Sequence, residues 1–479
     1  MLYIIKNSII LIIFLSIGTG VCAQDSSIVI KTGHIDSSGL FKLLYVPIAV
    51  PAGITKIEVK ESYNESGNPD KNVLNMGIYD PRGYTPANPL GFRGWSGGAK
   101  KEFFIQADQA STGYIPGKIQ KGLWNILIYP STIIPAGIDW KLEVKLIAGK
   151  DNNEFKVSPT PKSINNKPGW YRGDLHTHTL HSDGKRTQQE LIDEAKEKHL
   201  DFIISTEHNT NSANISWGLY NTENLLIING EEVTSTQYGH WNAIGLNADT
   251  YIDWRFTPEQ NRIGQMISKV HNNGGLSVIN HPFFNVKYIN SFYYDADLFD
   301  CIEVWNGTWN GLNDRALKWW DEQLRQGKKK IAIGASDTHK KAGSPNYLGV
   351  PQTVVYASGL SKNAIINGIK QGKAYVTSMD DMDINLSLTA ESQNVGLGDT
   401  LLLKAGQRFN ILLRVKNCPD TIVTLHSALG ILKTIAIKTS DESINWKLNG
   451  DAPTFLRVEV RNAQGDLLAL TNPAWLNIN

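Results

Sequence analysis

Between Trp170 and Met382 the chain alternates short apolar runs with segments of helical period. DFIIS, LLIIN, NAIGL, LSVIN, CIEVW and IAIGA are buried-strand candidates. Helix signals lie between several of them. Thr187 and Glu190 form a capping box ahead of LIDEAKEKHL, and Thr257-Pro258-Glu259 opens a helix ending at Asn272-Asn273-Gly274-Gly275. Asn313 is placed to cap the run through Leu324, and Ser361 to cap AIINGIK. Strand–helix alternation over this length predicts an α/β unit with a parallel sheet, closed as a (β/α) barrel.

The flanks follow a different period. FKLLYVPIAV, ITKIEVKES, NVLNMGIYD, LWNILIYP and WKLEVKLIAG alternate apolar and polar residues between Gly, Pro, Asn and Asp. INLSLTA, FNILLRVKN, TIVTLHSA and TFLRVEVRN do the same near the other end. Both flanks read as all-β sandwiches. With 479 residues, two or three domains are expected. The partition is a signal peptide at 1–23, a β-sandwich at 24–150, a polar linker at 151–168, the barrel at 169–382 and a second β-sandwich at 383–479.

MLYIIKNSIILIIFLSIGTGVCAQ carries an early lysine, an apolar run and a small-residue ending at Ala23, the pattern of a secretory signal. Its apolar run is too short to span a bilayer. The expectation is export, to a periplasmic or extracellular place, with no transmembrane segment after cleavage. A formal net charge of +1 offers no basic footprint for nucleic acid. Beyond the signal, Cys301 and Cys418 remain, far apart, and read as small core residues rather than a disulfide framework.

Polar residues mark where the central apolar runs stop. His176 and His178 follow YRGDL, Glu207 and His208 follow DFIIST, and Glu231 and Glu232 follow LLIING. His281 follows LSVIN, Asn306 follows CIEVW, and Asp337 and His339 follow IAIGAS. In a parallel barrel those ends open on one face. Residues two apart on an extended segment point to the same side, so His176/His178 and Asp337/His339 make two facing pairs. Asp183 comes from a turn marked by Gly184 and can reach a neighbouring ion. Imidazole and carboxylate without thiolate suit zinc, manganese or ferrous iron, and their density favours a multinuclear site. Trp305, Trp309, Trp319 and Trp320 fit a substrate wall or barrel packing equally. Lys185 and Arg186 fit an anion site or a solvated turn equally. His34 and His426 stand alone, and His199 and His271 lie at helix ends.

The ordered set HTHTLHSDG, TEHN, NGEEVT, GHWNAIG, NHP, EVWNG and ASDTH resembles the polymerase-and-histidinol-phosphatase (PHP) family. The flanking β regions and the ending ALTNPAWLN resemble its secreted CehA/McbA-type metallohydrolases. The resemblance implies a distorted (β/α)7 barrel with two or three divalent metal ions per chain. Carried over, His176, His178, Glu232 and Asp337 hold one metal, and Asp183, His208 and His339 a second. Glu232 bridges to a third, bound by His240 and His281. Glu232 is preferred to Glu231 because the family pattern is Gly-x-Glu and Gly230 fixes the frame. Glu207 departs from the more usual Asp before His208, and is expected to orient a ligand. Asp337 and His208 are catalytic candidates, with His181 open between proton donor and rim residue. Lys185, Arg186 and Asn306 are the candidates for holding substrate.

The implied function is an exported hydrolase that uses a metal-activated hydroxide on a phosphate monoester or diester. The substrate would be an anionic small molecule or a glycan-linked ester. Carboxylic ester or carbamate hydrolysis is the alternative reaction, and a non-catalytic carbohydrate- or surface-binding protein the alternative class. An amidohydrolase barrel also opens with His-x-His. It needs a carboxylated lysine and a lone late Asp, where this chain has Glu232 and Asp-x-His.

Overall fold

The computed structural model describes residues 12–13, 26–65, 71–150, 153–285, 292–340, 345–449 and 454–478. The signal-peptide reading falls outside these, apart from Ile12–Ile13, which pair antiparallel with Ile28 and Val29. No described helix is long and apolar enough to cross a membrane.

The N-terminal part holds two layers, a five-stranded sheet with Ile12–Ile13 at its edge and a four-stranded sheet. One runs Ser26–Ile35, Ile138–Ala148, Ile54–Tyr63, Glu102–Gln106, and the other Leu44–Val50, Gly122–Thr132, Val73–Tyr79, Phe92–Gly97. Alternation decides which side chains go in: Leu44, Val46, Ile48 and Val50 are buried against Ile57, Ile105, Leu142 and Val144. Gly122–Thr132 departs from alternation and is buried from Trp124 onward. Its second face, with Leu127 and Tyr129, packs on Trp241, Tyr251 and Trp254 of the central domain. A strand covered on both sides carries an unbroken apolar run.

The central strands are β1 (Gly169–Thr177), β2 (Phe202–Ser205), β3 (Leu226–Ser235), β4 (Gly239–Ile244), β5 (Leu276–Ile279), β6 (Cys301–Asn306) and β7 (Ile331–Ala335). They pair in sequence order. β1, β2 and β3 are parallel, as are β5, β6 and β7, but β4 is antiparallel to both neighbours. Four α-helices are described: α1 (Gln188–Glu197), α2 (Ile263–Asn272), α3 (Gly311–Arg325) and α4 (Lys362–Lys370). The expected parallel sheet is therefore corrected at β4. Only Thr236, Gln237 and Tyr238 separate β3 from β4, too short for a crossover, so a hairpin forms. The sheet curls until its ends touch. Thr177 bridges Thr338 in parallel, and Ser336 N donates to Asp174 Oδ1 at 3.1 Å.

Helix starts were partly legible. Thr187 caps α1 in a capping box and Ser361 caps α4. The helix expected from Thr257 is instead a 3-10 turn at Pro258–Gln260, broken by Asn261 at φ 49° before α2 starts. Asn310, not Asn313, caps α3, accepting from Leu312 N and Asn313 N. Asn313 sits inside the helix and donates to Asn306 O.

Beyond β1 the sheet continues through Gln352–Ala357 and Ala374–Thr377 into Leu467–Thr471 and Phe455–Arg461. These last strands face a four-stranded sheet containing Asp383–Ala390 and Arg408–Lys416. Leu386, Leu388, Ile411 and Leu413 meet Val423, Leu425 and Val458 in one core. Cys301 and Cys418 are buried free thiols in separate cores.

Candidate metal centre

The acids and imidazoles converge where β1 and β7 meet. His176 and His178 leave β1 fully buried. Gly184 lets the following turn fold back, since a Cβ there would lie 2.6 Å from the His178 carbonyl, and so Asp183 returns to the same place. Glu232 comes from β3 and His240 from the paired β4. His281 and Asp337 hold left-handed backbone at φ 26° and 51°. Such conformations cost of order 1–3 kcal/mol in non-glycine residues and cluster at functional sites.

Glu232 is the hub. Its Oε2 lies 3.3 Å from His176 Nε2, 3.4 Å from His178 Nε2 and 2.8 Å from His208 Nδ1. Its Oε1 lies 3.1 Å from His240 Nδ1 and 3.3 Å from His281 Nε2, and accepts from Asn280 Nδ2 at 3.0 Å. Asp337 Oδ1 stands 3.1 Å from His178 Nε2 and 3.4 Å from His176 Nε2. Asp183 Oδ1 stands 3.0 Å from His339 Nε2 and 3.5 Å from His208 Nε2. Three overlapping groups have ligand atoms within 4.8 Å of one another: His178/Asp183/His208/His339, His176/His178/Asp337 and His208/Glu232/His240. Ligands about 2.0–2.2 Å from one ion are separated from each other by about 3–3.5 Å, the spacing seen here.

Burial alone would raise the carboxyls of Glu232, Asp183 and Asp337, but the facing imidazoles hold all three well below the usual carboxylate range. The imidazoles divide. Burial and neighbouring rings push His178 down to about 3, and burial lowers His240. For His208 burial is outweighed by Glu232 and Asp183, which carry it up to about 9. Ionised carboxylates are thus surrounded by rings that cannot all be protonated. Among the described residues, His176 Nε2, His178 Nε2, Glu232 Oε2, His240 Nε2 and Asp337 Oδ1 are also buried without hydrogen-bond partners. Such groups are costly unless something positive satisfies them together, so the donor set fits divalent cations.

A surrounding layer fixes the donors. Glu303, which the sequence reading did not single out, accepts from His176 Nδ1 at 3.0 Å and from His281 N at 2.8 Å. A carboxylate inside the apolar run CIEVW was the available signal. Glu207 accepts from Thr179 N, Thr179 Oγ1 and Ser182 Oγ, so it braces the loop carrying His178 and Asp183. Thr234 Oγ1 is 2.7 Å from His208 Nδ1.

The substrate candidates separate. Lys185 lines a cleft of about 440 Å³ with Asp183, His208 and His240. Arg186 is corrected: its guanidinium is fully buried, donating to Thr338 Oγ1 at 2.6 Å and 3.3 Å from Glu194. Asn306 Nδ2 donates to Glu303 Oε2 at 3.0 Å and Asp337 Oδ2 at 3.3 Å, which makes it a support for those acids. His181 Nδ1 meets Ser212 Oγ at 2.9 Å, and burial takes its ring down to about 4. Glu231 turns away and accepts from Ile252 N. His271 pairs with Asp300 at 2.9 Å.

The cleft's tryptophans are Trp95 and Trp254. Trp305 and Trp320 are core residues, with Trp309 and Trp319 packed against that core. The N-terminal sandwich supplies the opposite wall through Asn75, Trp95, Ser96 and Gly97. It also grips the ligand loop: Lys100 Nζ donates to Leu180 O at 2.6 Å and Ser182 O at 3.1 Å, and Thr210 Oγ1 donates to Gly113 O.

No family model and no curated protein matches the chain. Among solved structures it is similar to a two-domain protein from Bacteroides vulgatus ATCC 8482 containing a predicted PHP-like metal-dependent phosphoesterase. That likeness has 17% identity, covers 67% of this chain and 100% of the other, and has a TM-score of 0.39. It is also similar to an amidohydrolase from Chromobacterium violaceum with bound sulfate and no metal, at 14% identity over 36% of this chain and 90% of the other, with a TM-score of 0.25. Neither likeness is close enough to bear on the site, whose reading rests on the side chains described above.

Proposed function

We propose that the chain is an exported, metal-dependent hydrolase of PHP type, within the secreted CehA/McbA-like group, acting on phosphate monoesters or diesters. The observation that carries this is Glu232, a single buried carboxylate whose two oxygens face different sets of imidazoles, as a bridging ligand does. His176, His178 and Asp337 would hold one cation, Asp183, His208 and His339 another, and His240 and His281 a third. Zinc, manganese or ferrous iron there would acidify bound water and offset charge on ester oxygens. The chain's own residues fix the donors, wall the cleft on one side with the sandwich and place the Lys185 ammonium at the cleft. Export rests on the N-terminal sequence pattern alone.

The position of Arg186 favours a second reading. With that guanidinium withdrawn, Lys185 is the one lysine or arginine among the cleft's described lining residues. A carboxylic ester or carbamate needs fewer cationic partners than a phosphoryl group.

The test is hydrolysis of p-nitrophenyl phosphate, bis-p-nitrophenyl phosphate and p-nitrophenyl acetate by metal-loaded protein, with and without chelator. Phosphoester turnover abolished by chelation is expected, and His176→Ala and Asp337→Ala should lose metal and turnover together. Turnover of the acetate alone would move the assignment to the second reading. Bound metal without turnover on any ester would favour a binding protein.

A further inference from the structure

A second cavity, of about 580 Å³, lies between the N-terminal sandwich and the central domain. It shares Tyr129 and Trp254 with the metal cleft, so the two cavities adjoin at those rings, which stand 5.0 Å apart and edge to face. Its volume is in the range of small-molecule sites. The sandwich contributes Tyr45 and Tyr84, and the central domain Tyr238 and Phe256. Phe41 also lines it, from a left-handed backbone at φ 59°, with its ring 6.3 Å from that of Tyr129. A bulky residue held in that conformation is uncommon, and here it brings an aromatic face to the wall.

The chamber's charge is cancelled. Arg255 is the one residue among its described lining that carries a full charge, and the guanidinium is buried, paired with Asp253 at 2.8 Å and donating to Tyr45 OH at 2.7 Å. An anionic group would find no unpaired cation among those described residues. Asn125, Ser235 and Thr257 interrupt the rings with amide and hydroxyl groups. Ser235 Oγ accepts from Tyr238 N and Thr257 caps the turn at Pro258–Gln260, and each hydroxyl keeps further hydrogen-bonding capacity that a bare aryl ligand would not use. The occupant that suits both kinds of wall has apolar C–H faces and a hydroxylated edge.

We propose that this chamber is the subsite for a neutral sugar carried by the ester, whose reacting end lies at the acid–imidazole cluster. The inference rests on the hydrolase reading and gives it a substrate class. In the reaction the bond between the phosphoryl (or acyl) centre and the sugar oxygen breaks, and the oxygen of water bonds to that centre. The sugar leaves as an alcohol bearing one proton from the water.

The full chain is titrated by calorimetry with neutral hexoses and disaccharides (glucose, galactose, mannose, maltose and cellobiose) and, separately, with phenol. At least one saccharide is expected to bind. Tyr84→Ala on one wall, or Tyr238→Ala on the other should the first not fold, should weaken it about tenfold or more, a change of about 1.4 kcal/mol. Tyr84→Phe, which keeps the ring, should restore most of the affinity, and His426→Ala should bind like the parent. No saccharide binding up to about 10 mM would overturn the proposal. So would phenol binding alone, or saccharide binding indifferent to both tyrosines. Because binding is read without turnover, a chain that binds sugar but cleaves no ester refutes the hydrolase reading and leaves the chamber standing. A chain that cleaves esters but binds no sugar does the reverse.

Discussion

Glu303 Oε1 lies 3.0 Å from Nδ1 of His176, on the opposite side of the ring from Nε2, which faces Glu232 and Asp337. Glu303 thereby sets the ring's orientation, and keeping the proton on Nδ1 leaves Nε2 free as a donor to a cation. Glu303→Ala is expected to lower metal affinity about 10–100-fold without removing any proposed ligand. Competition with a coloured chelator measures this; parental affinity in the variant would show that the contact does not matter.

Lys100 tests whether the sandwich organises the centre. Its ammonium holds the carbonyls of Leu180 and Ser182, which flank His181 in the ligand loop. Lys100→Met retains the stem and loses the charge-assisted bonds, each worth about 1.5–3 kcal/mol. Metal affinity should fall about tenfold, while the cooperative melt of the metal-free protein changes little. A variant that melts early yet binds metal normally would assign Lys100 to folding alone.

The ligand groups were legible because their spacing is local: His176/His178 leave an extended strand, whereas Asp337 reaches the same place from left-handed backbone at φ 51°, which the two-residue spacing to His339 did not announce. Glu303 was not, because one carboxylate in CIEVW reads equally as a polar face of a strand. The reversal of β4 was signalled only by the three-residue turn before Gly239. Asn310 and Asn313 lie one helical turn apart, and both are plausible caps by composition, so tertiary contact with Asn306 decided between them. The cleft wall at Trp95 and Asn75 lies far from the histidines in sequence, and no local period announces contact over that separation.

Adjacent acids should behave oppositely. Glu232 faces five imidazoles, whereas Glu231 points to the other side of β3, accepts from Ile252 N at 2.9 Å, and is pushed well above the usual carboxylate range by burial. Glu232→Gln should abolish multinuclear loading. Glu231→Gln, close to isosteric with the protonated acid, should keep full metal content and change stability by no more than about 1 kcal/mol. Metal-to-protein ratios for the two variants decide it; equal losses would contradict the assignment of Glu232 as the bridge.

Glu61 gives a pH signature independent of the metal centre. It is 2% exposed in the N-terminal sandwich, and neither carboxylate oxygen has a hydrogen-bond partner among the described residues. Burial outweighs the nearby Lys101 and pushes the acid from 4.5 up to about 8. The unfolded chain releases this proton near 4.5 while the folded chain keeps it to about 8, so across that window the unfolded state binds fewer protons. Unfolding free energy therefore falls as pH rises, by up to about 1.4 kcal/mol per pH unit from this group. The contribution is complete below 4.5 and lost as pH rises through about 8. Glu61→Gln keeps the shape without the titration and should flatten the dependence, leaving the variant more stable than the parent at the alkaline end. Guanidinium melts across that range provide the check. Identical slopes for parent and variant would mean that Glu61 is already ionised in the folded protein.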